Sequence, residues 1–132
     1  MEESEKQNLR EMFYNTLDDL LKEKKRHPKF NKKLESLNVN VNLTLENIGD
    51  YEIIFKNGDY EILENERAED AKLEITSTFE NFFKYSSREI NDIVALLTGK
   101  LKVKGKRHLF LLLKVGSLLK ALPEKEVKNL TS

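Results

Sequence analysis

The stretch Gly99-Lys100-Leu101-Lys102-Val103-Lys104-Gly105 decides the fold. Leu101 and Val103 alternate with lysines, so the segment reads as a β-strand with one apolar and one cationic face. Gly105 releases the chain into a helix over residues 106–122. Leu109 to Leu113 are consecutive apolar residues, enough to cover the whole circumference at about 3.6 residues per turn. Such a helix needs cover on two sides. One side is the protein's own sheet. A second helix, a partner chain or an apolar ligand would supply the other.

Working backwards, residues 86–98 read as a helix opened by Ser86 with Glu89 as a capping box, with Ile90, Ile93, Val94 and Leu97 on one stripe and Gly99 as its C′ stop. Ser77 with Glu80 would cap a short aromatic helix carrying Phe79, Phe82, Phe83 and Tyr85. Before it, Ala71, Leu73 and Ile75 alternate as a strand. Tyr51, Ile53 and Phe55, then Tyr60 and Ile62, flank Asn57-Gly58, a strong hairpin signal because both residues tolerate positive φ. Val39, Val41, Leu43 and Leu45 give another alternating strand. Residues 4–26 form an amphipathic helix with Leu9, Met12, Phe13, Leu17, Leu20 and Leu21 on one stripe, capped by Ser4 with Gln7 and read as plain core packing. Pro28 starts a second helix with Phe30, Leu34 and Leu37 on one face.

A meander of strands with helices before and after it predicts an α+β domain: a five-stranded, mostly antiparallel sheet with helices packed on one face, residues 1–132 forming one domain. At 132 residues, folding buries roughly two-thirds of the unfolded chain's surface, enough for one core. With 23 basic and 23 acidic residues, the chain is not expected to bind nucleic acid through bulk charge. The absence of cysteine excludes disulfides and thiolate chemistry. The charged N-terminus lacks the apolar core of a secretory signal, and no run reaches the ~20 apolar residues of a membrane span. A cytoplasmic location is the expectation.

This order of elements, with Glu69-Asp-Ala-Lys-Leu-Glu-Ile-Thr-Ser-Thr-Phe-Glu-Asn-Phe-Phe83 and Leu97-Thr-Gly-Lys-Leu-Lys-Val-Lys-Gly105, resembles the sterol carrier protein-2 (SCP2) family of small lipid-binding domains. The resemblance implies an apolar cavity between sheet and C-terminal helices holding a fatty acyl chain, a sterol or another lipid, as carrier or accessory protein. Two departures lie beside the expected cavity. Lys106-Arg107 stands where the family often has Asp or Asn, and Tyr85-Ser-Ser-Arg-Glu-Ile90 replaces a glycine-containing turn.

The residues themselves point the same way. Apolar side chains are in excess around 79–97 and 109–122, and each left exposed would forfeit ~1.5–3 kcal/mol. The expected lining is Phe82, Phe83, Ile93, Leu97, Phe110, Leu113 and Val115. Catalysis is not expected. His27 and His108, the only histidines, lie in basic runs read as solvated, without partner carboxylates at helical or hairpin spacing, and no metal-ligand cluster or phosphate-binding glycine loop is present. No cofactor is expected. Lys100, Lys102, Lys104, Lys106 and Arg107 form a basic strip, read either as a solvated strand face or as a contact for an anionic membrane surface. The alternative function is an interaction or dimerisation module built on the apolar C-terminal helix.

Overall fold

The computed structural model describes residues 2–105 and 108–122. Two helices, α1 (Glu3–Arg26) and α2 (Pro28–Ser36), precede four strands, β1 (Val39–Leu45), β2 (Gly49–Lys56), β3 (Asp59–Glu64) and β4 (Leu73–Ser77). Then follow α3 (Phe79–Ser86), α4 (Asp92–Leu97), β5 (Lys102–Lys104) and α5 (His108–Leu119). The strands form one sheet in the order β3-β2-β1-β4-β5. Only β1 and β4 run parallel; the other three pairings are antiparallel.

Alternation sets the two faces. Val39, Val41, Leu43 and Leu45 on β1 are buried, as are their neighbours Tyr51, Ile53 and Phe55 on β2 and Leu73 and Ile75 on β4. They pack in one core with Phe13, Leu17 and Leu21 of α1, Phe30 and Leu34 of α2, Phe82 of α3 and Leu112, Val115, Leu118 and Leu119 of α5. The opposite face is polar. Across it runs the connection from β3 to β4, pinned where the Asn42 amide exchanges two 2.8 Å bonds with the backbone of Ala68. Arg67 reaches Glu74 at 2.6 Å, Asp50 at 3.3 Å and the Thr44 hydroxyl. The β2–β3 hairpin turns at Asn57 and Gly58, both at positive φ (55° and 74°), as its sequence requires.

In the deciding strand Leu101 is buried, Val103 is half-buried, and Lys102 and Lys104 are exposed. Gly105 is needed for close approach, since a Cβ there would lie 2.1 Å from the Lys72 carbonyl oxygen.

Several local expectations are corrected. The N-cap of α1 is Glu2, with Ser4 inside the helix. The cap of α3 is Thr78, whose hydroxyl accepts from the Asn81 N–H at 3.1 Å. Ser86 ends α3 instead of opening α4, which Asn91 caps by accepting from the Val94 N–H at 2.8 Å. The basic run 22–33 is not wholly solvated, for Lys24 and His27 are buried. His27 turns the chain between α1 and α2, and its Nδ1 accepts from the Lys29 N–H at 3.2 Å. Lys106, Arg107, the expected stop at Pro123 and the expected extra turn around Val127 and Leu130 lie outside the described residues.

Candidate functional site

The i, i+4 geometry of α1 gives it two neighbouring rows. Phe13, Leu17, Leu21 and Lys24 point into the core and are buried. The adjacent row, Met12, Thr16 and Leu20, faces α3. Thr78 starts α3 beside the end of β4, so Phe79 and Phe82 meet α1. Phe13 packs edge-on against both, with ring centroids 6.4 and 5.6 Å apart, and tilts against Tyr51 at 5.0 Å. The Tyr51 hydroxyl donates to the Arg10 carbonyl at 3.2 Å, tying the sheet to α1.

The two helices do not close completely. Between them lies an apolar cavity of about 110 Å³, walled by Met12, Phe13, Leu17 and Leu20 on one side and Phe79, Phe82 and Phe83 on the other. Among the described residues its only side-chain hydroxyls are those of Thr16 and Ser86. Met12 (49 % exposed) and Phe83 (58 % exposed) stand in solvent at its mouth. Past Leu20 and Phe83 it continues into a shallower groove of about 300 Å³ that reaches Asp19, Glu23, Ser87 and Ala121.

The end of that groove is fixed by the C-terminus of α5, whose last carbonyls have no partners within the helix. Other elements satisfy them. The Lys24 ammonium donates to the Ser117 carbonyl at 2.8 Å and also to that of Lys120. Ser86 Oγ donates to the Leu119 carbonyl at 2.8 Å, and Arg88 Nε to that of Ala121 at 2.5 Å. Burial, and then repulsion from Arg88, lowers the Lys24 pKa to about 7. Behind α5, the Tyr85 hydroxyl donates to Asp92 at 2.6 Å, and Asp92 pairs with Lys120 at 2.9 Å. Burial first and that hydrogen bond second push the Tyr85 pKa well above its ordinary value. Among the described residues no buried side-chain nitrogen or oxygen lacks a partner, and no cluster of His, Asp and Glu could hold a metal ion.

The seven residues expected to line a site are not gathered in one place. Phe82 and Phe83 line the α1–α3 cavity. Val115 is buried in the core. Ile93 and Leu97 are exposed on α4, and Leu113 and Phe110 (78 % exposed) on α5. Phe110 lines a separate groove of about 280 Å³ with Leu37, Val39, Leu111, Lys72 and Lys114. The missing wall is α1, whose Met12–Thr16–Leu20 row sits beside the core stripe and was readable only as part of it. In the basic strip, Lys104 lies opposite Glu74 and Lys102 opposite Thr76, so these two lysines belong to the polar sheet face.

An open sheet ordered β3-β2-β1-β4-β5, with helices on one face and an apolar cavity between α1 and α3, defines a small α+β class of fold. The chain belongs to the SCP-2 sterol transfer family, whose profile matches residues 17–120. Among solved structures it is similar to a UbiJ-SCP2 ubiquinone synthesis protein, at 16 % identity and TM-score 0.66, over 80 % of this chain and 90 % of that one. It is also similar to the sterol carrier protein domain 2 of Helicoverpa armigera, at 19 % identity and TM-score 0.64, over 80 % and 84 % of the two chains. A third similarity is to a stereoselective inverting sec-alkylsulfatase from Pseudomonas sp., at 15 % identity and TM-score 0.58. It covers 70 % of this chain but only 14 % of the sulfatase. No curated protein sequence matches the chain. Among the described residues no helix is long and apolar enough to cross a membrane.

Proposed function

We propose that this chain binds a long-chain apolar ligand, such as a fatty acyl chain or a sterol, in the α1–α3 groove, without catalysis and as a cytoplasmic carrier or accessory protein. The observation that carries this reading is the cavity between Phe13, Leu17, Phe79 and Phe82, which opens to solvent beside Met12 and Phe83. Its membership in the SCP-2 sterol transfer family supports it. Ligand pockets usually hold ~300–1,000 Å³. The ligand therefore occupies the cavity together with its shallower continuation past Leu20, and α3 moves aside to admit it.

Displacement of a fluorescent acyl probe tests the reading, with native mass spectrometry of the purified protein to detect co-purified lipid. Thr16 is exposed and points into the groove, so Thr16→Trp should cut probe affinity at least about tenfold while changing stability by under ~0.5 kcal/mol, as is usual for surface substitutions. A wild-type protein that carries no lipid and binds neither acyl nor sterol probes rejects the carrier reading.

Loading from an anionic membrane through Lys100, Lys102 and Lys104 is part of the same proposal. Lys102→Glu with Lys104→Glu should lower vesicle binding at low salt. A second reading, a dimerisation module, is favoured by the exposure of Leu109, Phe110 and Leu113 on α5. Sedimentation velocity across a hundredfold concentration range separates a monomer from that dimer.

A further inference from the structure

Two features lie outside the carrier groove. The cationic run 22–33 reaches into α2, and the exposed apolar residues of α5 face away from the core. The fold brings them together. Lys33 of α2 donates to Ser117 Oγ of α5 at 3.1 Å, and the end of α2 forms one bank of the 280 Å³ groove whose other bank is Phe110, Leu111 and Lys114. At about 100° per residue, Leu109, Leu113, Phe110 and Lys114 follow one another round a single outward arc of α5. The first three are exposed apolar side chains and the fourth is a cation at the margin.

Lys72 stands across the groove from Lys114, and neither is paired with a carboxylate of the described residues. Among the described residues no carboxylate lines the groove; the acidic residues nearest Lys72 in sequence are Glu69 and Asp70, on the loop before β4. From residue 93 to residue 123 the sequence contains no Asp or Glu.

We propose that this α2–α5 face docks on an anionic membrane surface, Phe110, Leu113 and Leu109 entering the interface while Lys72 and Lys114 meet the headgroups. An apolar ridge rimmed by cations is the pattern of an interfacial segment. Charge decides the occupant: a second copy would present the same lysines, and like charges facing one another disfavour that pairing. The face is distinct from Lys102 and Lys104 of β5, which lie opposite Thr76 and Glu74 and do not line the groove. The proposal gives the carrier reading a second membrane contact beside that of the β5 lysines, and vesicle flotation of the Lys102→Glu, Lys104→Glu protein separates the two. The proposal stands even if the α1–α3 groove binds nothing.

The chain contains no tryptophan, so Phe110→Trp places a single reporter on the ridge. Its emission should shift to the blue with vesicles of phosphatidylcholine and phosphatidylserine, and not with phosphatidylcholine alone. In flotation with the mixed vesicles, Lys72→Glu with Lys114→Glu should reduce binding at least about tenfold, and Phe110→Ser several-fold. Circular dichroism and acyl-probe titration of each variant show whether folding and groove binding are intact. Absence of a blue shift with anionic vesicles at low salt overturns the proposal. So does undiminished vesicle binding by the Lys72→Glu, Lys114→Glu protein. A blue shift that grows with protein concentration without vesicles assigns the face to a second copy, and an acidic protein that shifts the emission where vesicles do not assigns it to a protein partner; either result overturns the membrane assignment.

Discussion

At the scale of single residues, the tightest constraints surround α5. A Cβ on Gly116 would fall 2.0 Å from the Tyr85 hydroxyl oxygen and 3.2 Å from Asp92 Oδ1. Gly116→Ala should therefore displace Tyr85 from Asp92 and destabilise the fold by about 1–3 kcal/mol, read as a lower urea midpoint. Lys24 offers a test by pH. Opposing forces act on its ammonium: the α5 carbonyls favour the charge, and burial, which is stronger, opposes it. With the folded pKa lowered from an ordinary 10.5 to about 7, the unfolded chain holds a proton between those values that the folded chain does not. Stability should rise with pH through that window and be lowest, and flat, below it. Tyr51, raised to about 12 chiefly by burial, works the other way once free tyrosine begins to ionise near 10. The useful range is therefore about pH 7 to 9. Urea denaturation across it should show wild type gaining on Lys24→Met. A constant difference would mean that Lys24 stays charged among its carbonyls.

At the scale of elements, the caps separate what sequence resolves from what it does not. Ser77 and Ser86 each stand three residues before a Glu, the capping-box spacing, yet neither caps a helix. Ser77 is the last residue of β4, and its hydroxyl donates to the Lys100 carbonyl at 2.7 Å. Ser86 gives its hydroxyl to Leu119. Both are committed to partners far along the chain, which local spacing does not reveal. Thr78→Ala should thus cost about 1 kcal/mol through loss of the α3 cap, measured by thermal unfolding. Strands were readable because their apolar residues alternate over a wet face, and Asn57-Gly58 specified its hairpin by itself. The β1–β4 pairing was not, because β4 reaches β1 by a loop crossing the polar face. The site divides in the same way. Phe82 and Phe83 stood out as aromatics on a short helix. Met12, Thr16 and Leu20 did not, because two adjacent rows on one helix share a single periodicity, and only the position of α3 distinguishes them. Phe110 and Leu113 were readable as apolar residues in excess of the core's needs, but not as exposed residues that lie outside Phe83's groove.

At the scale of the whole molecule, the proposed carrier role raises the question of how a domain with so full a core would admit a long ligand. The sheet is stitched by complete ladders, and α5 is held at its C-terminus by Lys24, Ser86 and Arg88. By contrast, α3 meets α1 through the rings of Phe79 and Phe82 against Phe13, and Phe83 is exposed. In the carrier reading proposed above, the element that opens is the first turn of α3, with Phe79 and Phe83 parting from α1 while Tyr85 stays buried against Asp92. A cavity of 110 Å³ is below the range of ligand pockets, so binding requires that opening. Local opening of this kind appears as amide exchange faster than global unfolding allows. Hydrogen exchange should show α3 amides less protected than those of β1 and β2 in the free protein. A saturating acyl ligand should then slow exchange in α3 more than in the sheet. At a hundredfold excess over Kd it should also raise stability by about 2.7 kcal/mol. Equal protection of α3 and β1 in the free protein, unchanged by any acyl or sterol ligand, would show the α1–α3 contact to be fixed core. The carrier reading would then lose its entry route, while the membrane contact of the α2–α5 face, on elements that need not move, would remain.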